Sequence, residues 1–145
     1  MTPLVTTIQT IAAPAGRVLL SLIFILSGAQ KLTGYAGTQG YMEAMGVPGA
    51  LLPLVIAVEL LGGIALLVGW NARTAAFLLG GFSVISGALF HLIPSFGAEG
   101  MEAQIQSIMF MKNLTIAGGM GMVVAFGAGA WSLDNRGATP VLSAG

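Results

Sequence analysis

Glu59 lies near the middle of an apolar run, Leu51 to Trp70, that contains no other charge. At a rise of about 1.5 Å per residue, roughly twenty residues match a hydrocarbon core of about 30 Å. A carboxylate at that depth costs roughly 2.5–3.5 kcal/mol on insertion scales. It has to be protonated, paired, or turned towards a polar cavity. Arg17, Lys31, His91 and Lys112 lie close to the ends of the other apolar segments. Quinone reduction or quinol oxidation needs hydrogen bonds to two oxygens and a path for protons. Glu59, His91, Lys112 and Asn113 supply those types in one half of a bundle, Glu59 as proton acceptor or donor and His91 as the exchanging group.

Each candidate has a structural reading beside the chemical one. Glu59 reads equally as half of an ion pair, its partner being Lys112 from one side or Arg17 from the other. Lys31 reads as an interface anchor whose stem snorkels, or as a ligand contact. His91 reads as a polar residue finishing the third helix, and Asn113 as a cross-helix hydrogen bond. Met109 and Met111 read as packing residues. Haem ligated by His91 and a methionine lacks a convincing second ligand.

Composition sets the environment. The 145 residues are 56% hydrophobic and only 7% charged, with mean hydropathy +0.93. A soluble domain carries about 25% charged residues, so this chain lacks the surface for one and takes the bilayer as its partner. The net charge of zero gives no footprint for nucleic acid. Cysteine is absent, which removes thiol catalysis, disulfide relays and cysteine-ligated clusters together.

Four membrane spans follow, at about 15–32, 51–70, 72–93 and 105–130. The first is short between Arg17 and Lys31 and can extend backwards through Ile11 and Ile8. No basic region precedes it, so it reads as a retained helix rather than a cleaved signal. The fold class expected is an all-α, four-helix integral membrane bundle with antiparallel up-down topology in one domain. Arg17, Arg73 and Arg136 fall on one side against Lys31 and Lys112 on the other, which puts both termini in the cytoplasm of an inner membrane protein. Trp70 and Trp131 then mark one interface, Tyr35 and Tyr41 the other. In the first long connection Thr38 caps a short helix that Gly46 and Pro48 stop, with Tyr41, Met42 and Met45 in the interface or over the bundle mouth. The second, Pro94 to about Gln104, reads as a flexible acidic loop, and the tail after Asn135 as short and frayed.

Small residues recur every four positions: Ala117, Gly121, Ala125 and Gly129, then Ala72, Ala76 and Gly80, and Ala65 with Gly69. Such stripes let helix backbones approach closely, within one bundle or across a homodimer face.

Taken in order, Arg17, Phe24, Ser27-Gly28, Lys31, Thr38, Tyr41 and Gly46-x-Pro48 resemble the opening of the DoxX family of small four-helix membrane proteins. The resemblance continues at Glu59-x-x-Gly62-Gly63, Gly69, Arg73 and His91, then Lys112-Asn113, Gly118-Gly119 and Ser132-Leu133-Asp134. Family members often carry aromatic residues between the His and the Lys-Asn pair; here that stretch has Phe96 and Phe110 but no Trp. A related branch includes a subunit of a thiosulfate:quinone oxidoreductase. The resemblance therefore implies a quinone-interacting subunit of a membrane redox assembly with a redox partner protein. The other class left open is a non-enzymatic scaffold or small-solute carrier acting as a homo-oligomer.

Overall fold

The computed structural model of the chain describes residues 2–136; most of the tail expected after Asn135 lies outside them. The helices are α1 (Pro3–Thr33), α2 (Tyr35–Ala44), α3 (Leu52–Val68), α4 (Ala72–Gly87), α5 (Ile93–Ser95) and α6 (Gly100–Phe126). A 3₁₀ turn, Gly49–Leu51, leads into α3, and a π-helical turn, Ala88–Leu92, joins α4 to α5. The chain is all-α. Four helical stretches are long and apolar enough to cross a membrane: Pro3–Thr33, Gly49–Val68, Ala72–Ser95 and Gly100–Phe126. The ten-residue α2 lies outside that set.

Two boundaries differ from the sequence reading, both because charge and proline bias helix limits without fixing them. Residue α1 begins from is Pro3, not the neighbourhood of Ala15, and Pro14 is carried inside the helix. Residues 100–104 form the opening turn of α6 instead of a loop. Glu102 in that turn complements the positive end of the helix dipole. The connection expected as a loop thus shrinks to residues 96–99, with Glu99 as its one acidic residue.

α1 packs against α3 and α4 against α6, and the α3–α4 contact joins the two pairs. Phe24, Leu66, Ala76, Leu79 and Met120 fill the shared core. A second cluster, Met42, Leu52 and Ile56, lies beneath α2. Thr38 is not the cap of α2. It sits inside that helix, its hydroxyl donating to the Gly34 carbonyl at 3.1 Å. The stop at Gly46 is as expected. Its φ of 76° suits glycine, and Val47 N–H donates back to Met42 O at 2.9 Å in a Schellman arrangement.

The small-residue stripes divide. Ala72, Ala76 and Gly80 are buried, and a Cβ on Gly80 would lie 3.2 Å from Met120 Cβ. On α6 the stripe turns outward. Gly121 has no neighbour within 4 Å of a Cβ position, Ala125 is exposed, and Gly129 lies beyond the helix end. The contact runs instead through Gly119, facing Leu20, and through Met120 and Val123. A four-residue spacing defines a face but not its rotation about the bundle.

One end of the bundle is tied by residues 127–136. Leu133 and Asp134 N–H groups donate to Val68 O and Gly69 O, at 3.0 and 2.8 Å. The Asp134 carboxylate accepts from Asn71 N–H at 2.6 Å and Ala72 N–H at 2.8 Å, satisfying donors at the start of α4. Arg73 donates to the Val124 and Ala125 carbonyls at the end of α6. Arg17 is buried here. Its guanidinium donates to the carbonyls of Ala128, Ala130 (3.1 Å) and Trp131 (2.9 Å). Its five donors in a rigid fork suit a cluster of carbonyls, so its partner is backbone, not Glu59.

Candidate functional site

Ser27 and Lys31 are one helical turn apart and so share a face of α1. That face meets Glu59 on α3, which is 4% exposed. Lys31 Nζ lies 3.0 Å from Glu59 Oε1 and 2.9 Å from Oε2, and it donates to Ser27 Oγ at 2.5 Å. Ser27 in turn donates to Oε1 at 3.1 Å. Oε1 therefore receives two hydrogen bonds. Oε2 has the ammonium beside it but no donor aligned for a hydrogen bond. Gly28 makes the approach possible. A Cβ there would lie 2.7 Å from Leu60 Cγ and 3.3 Å from Glu59 Cβ.

The ion pair thus uses neither of the two partners weighed from sequence. Lys112 sits on the exposed face of α6, with Nζ 3.8 Å from Met109 Sδ, and no carboxylate among the described residues lies within salt-bridge reach of it. Rotation of α6 places Asn113 inwards and its neighbour Lys112 outwards, 100° apart on the helix. Lys31 is three-quarters buried, so it is more than an interface anchor.

A cavity of about 520 Å³ opens beside Glu59, within the size range of small-molecule sites. Of the sequence candidates it gathers Glu59, Lys31, His91 and Asn113 in its wall; Lys112 and Arg17 lie outside it. Most of the remaining wall is apolar, including Phe24, Val55, Phe82 and Ile116. The polar groups are confined to a few positions, which suits a ligand with an apolar body and a small polar head.

His91 belongs to the π-helical turn, the kind of helix irregularity that often marks functional sites. Its Nδ1 contacts Gln106 Oε1 on α6 at 2.8 Å. An acceptor at that position puts the proton of the neutral ring on Nδ1 and leaves Nε2 as an acceptor. Asn113 donates from Nδ2 to Met109 O at 3.0 Å. It packs where Gly87 leaves room, since a Cβ on Gly87 would lie 2.7 Å from Asn113 Cβ. At the α2 side, Tyr41 and Phe90 stack with ring centroids 5.7 Å apart, joining α2 to the π turn over the cavity wall.

Sequence reasoning gave Ser27 no role beyond its place in the family pattern, and it passed over Phe90 and Gln106. The first carried a usable signal, the i, i+4 pairing of Ser27 with Lys31 in an apolar helix. The other two carried none, because they become neighbours of the site only through the packing of α2, α4 and α6.

Residues 12–92 match the DoxX family. The chain is 48% identical to the inner membrane protein YqjF of Escherichia coli (strain K12) over 127 residues, covering 88% of this chain and 92% of that one. It is 32% identical to the inner membrane protein YphA of the same organism over 122 residues, covering 83% and 86%. A shorter match, 31% identical over 62 residues, is to a Bacillus subtilis (strain 168) protein named "Putative oxidoreductase CatD", covering 43% of this chain and 46% of that one. No solved structure matches. With four membrane-length helices, the ordered site residues and these relatives, the chain belongs to the DoxX family of integral membrane proteins.

Proposed function

We propose that this protein is the membrane subunit of a quinone-linked oxidoreductase assembly in the inner membrane, and that the quinone head occupies the cavity beside Glu59. One observation carries the reading: a buried carboxylate–ammonium–hydroxyl group, Glu59, Lys31 and Ser27, set in the wall of a mainly apolar cavity of ligand size. In this role Glu59 and His91 exchange protons with the ligand, while Lys31 and Asn113 orient it. Arg17 and Lys112 take no part. With no cysteine and one histidine in the sequence, electrons arrive through a partner protein. The spans alternate in direction and both termini face the cytoplasm, which places the cavity in the outer half of the bundle.

The test is purification from native membranes in mild detergent, followed by lipid extraction and ultraviolet–visible spectroscopy. Near-stoichiometric quinone is expected in the parent and its loss in Glu59→Gln/Lys31→Met. A quinone-free parent overturns the reading. The outward face of α6 at Gly121 and Ala125 favours a second reading, a homo-oligomeric scaffold or small-solute carrier. A colourless, quinone-free homodimer from the same preparation supports it.

A further inference from the structure

The wall of the cavity is closed unevenly. α3 and α4 touch below it, where a Cβ on Gly62 would lie 3.0 Å from Leu79 Cδ2. Beyond that contact both helices line the cavity. Counted along each helix from the turn that joins them, Val58 comes level with Phe82, Leu54 with Ile85 and Leu51 with Leu89, at about 15, 20 and 25 Å. Leu54 and Ile85 are 69% and 57% short of nothing but a neighbour only in the cavity's wall sense: each is 62% exposed while lining it, so both stand on its rim. Leu51 and Leu89 are exposed as well, whereas of the wall residues on α1 and α6 only Ile23 is. The mouth is a slot between α3 and α4. α2 covers the end away from their common turn. Met42 is buried with Leu52 and Ile56 of α3, and Tyr41 stacks on Phe90 of the π turn, so α2 bridges the two helices there.

Both helices that frame the slot belong to membrane-length stretches. A rim about 20 Å along a helix that crosses a core of about 30 Å faces hydrocarbon rather than water. The residues along the slot are all apolar, while the same cavity holds the side chains of Lys31, His91 and Asn113. An aqueous solute has to cross lipid to reach this mouth, whereas an amphiphile dissolved in the bilayer is already beside it. We infer that the cavity is loaded sideways from the bilayer through the α3–α4 slot, and that the apolar chain of the bound ligand lies in that slot against Leu54 and Ile85. This rests on the quinone reading above and adds to it the route of entry and the seat of the tail. The ligand class is a polar ring on an apolar chain. A phospholipid fits less well, because its charged head belongs at the interface and the slot opens within the hydrocarbon core.

The test uses the full chain in phosphatidylcholine vesicles and a benzoquinone whose decyl tail carries a diazirine. After photolysis, peptide mass spectrometry should find the adducts that excess unlabelled decyl-benzoquinone suppresses on residues 51–58 and 82–89. Suppressible adducts on α1, α2 or α6 instead overturn the inference and leave the quinone reading standing. No suppressible adduct in a preparation that retains quinone does the same; none in a quinone-free preparation removes both. Leu54→Trp and Ile85→Trp, at exposed positions, narrow the slot by steric clash. Each should lower the suppressible labelling by about fivefold or more. Leu61→Trp, at an exposed position of α3 outside the cavity, should leave it within about twofold. Labelling that persists in both slot variants overturns the inference, and the label map of the parent needs no variant to decide it.

Discussion

Replacing Glu59 by glutamine leaves the Lys31 ammonium facing an apolar wall with one neutral acceptor in place of a carboxylate. Breaking a buried pair from one side costs roughly 3–5 kcal/mol. The lower end, about 3 kcal/mol, is expected here because Lys31 keeps some access to solvent. Lys31→Met in the same protein should recover most of that loss, since no buried charge then remains. Lys112→Met should recover none, because Lys112 lies on the outer face of α6. Unfolding of the single and double variants in detergent checks both statements. Rescue by Lys112→Met would refute the pairing. The buried charge itself was legible in the sequence, because a lone carboxylate in twenty apolar residues has nowhere inexpensive to go. Its partner was not. Three cations approach the middle of the bundle in sequence, and only the rotation of α1 and α6 selects among them.

Between helices, contact depends on which glycine faces which neighbour. Gly28→Leu forces a side chain into the space held by Leu60 and Glu59, and overpacking of this kind costs about 1–3 kcal/mol. It should also loosen the Lys31–Glu59 contact. Gly121→Leu meets open space and should leave the melting temperature of the monomeric bundle within a degree or two, an effect of about 0.5 kcal/mol or less. A large loss for Gly121→Leu with a shift to smaller species on sizing columns would instead identify that face as an oligomer contact. The helix end at Gly46 was readable; Gly69, read as part of a packing stripe, also ends a helix, and both have positive φ. The π turn at Ala88–Leu92 left no trace in the sequence. It depends on how α4 and α5 pass over α6, and it moves His91 and Phe90 into the cavity wall.

For the molecule as a whole, the arginine distribution and the tie at residues 127–136 meet at one end. Reporter fusions should be inactive as periplasmic markers after Arg136 and active within Phe96–Glu99. An active periplasmic marker at the C-terminal site would reverse the orientation. Asp134→Ala removes acceptors from two N–H groups at the start of α4 and should cost about 1 kcal/mol, read as a lower unfolding midpoint. The family resemblance included Ser132-Leu133-Asp134 without saying what it does; its role in tying three helix ends requires residues far apart in sequence to meet. Arg17 shows what that distance means during synthesis. Its acceptors are 111 to 114 residues downstream. At roughly 5–20 residues per second they emerge about 5–20 s after it does. For that interval the first span carries an unsatisfied cation, so it can wait near the membrane surface but not settle at its final depth. The last ten described residues are then a completion signal. A nascent chain that stops after Phe126 has all four spans yet cannot seat the first of them, and quality-control proteolysis should remove it faster than the full-length protein.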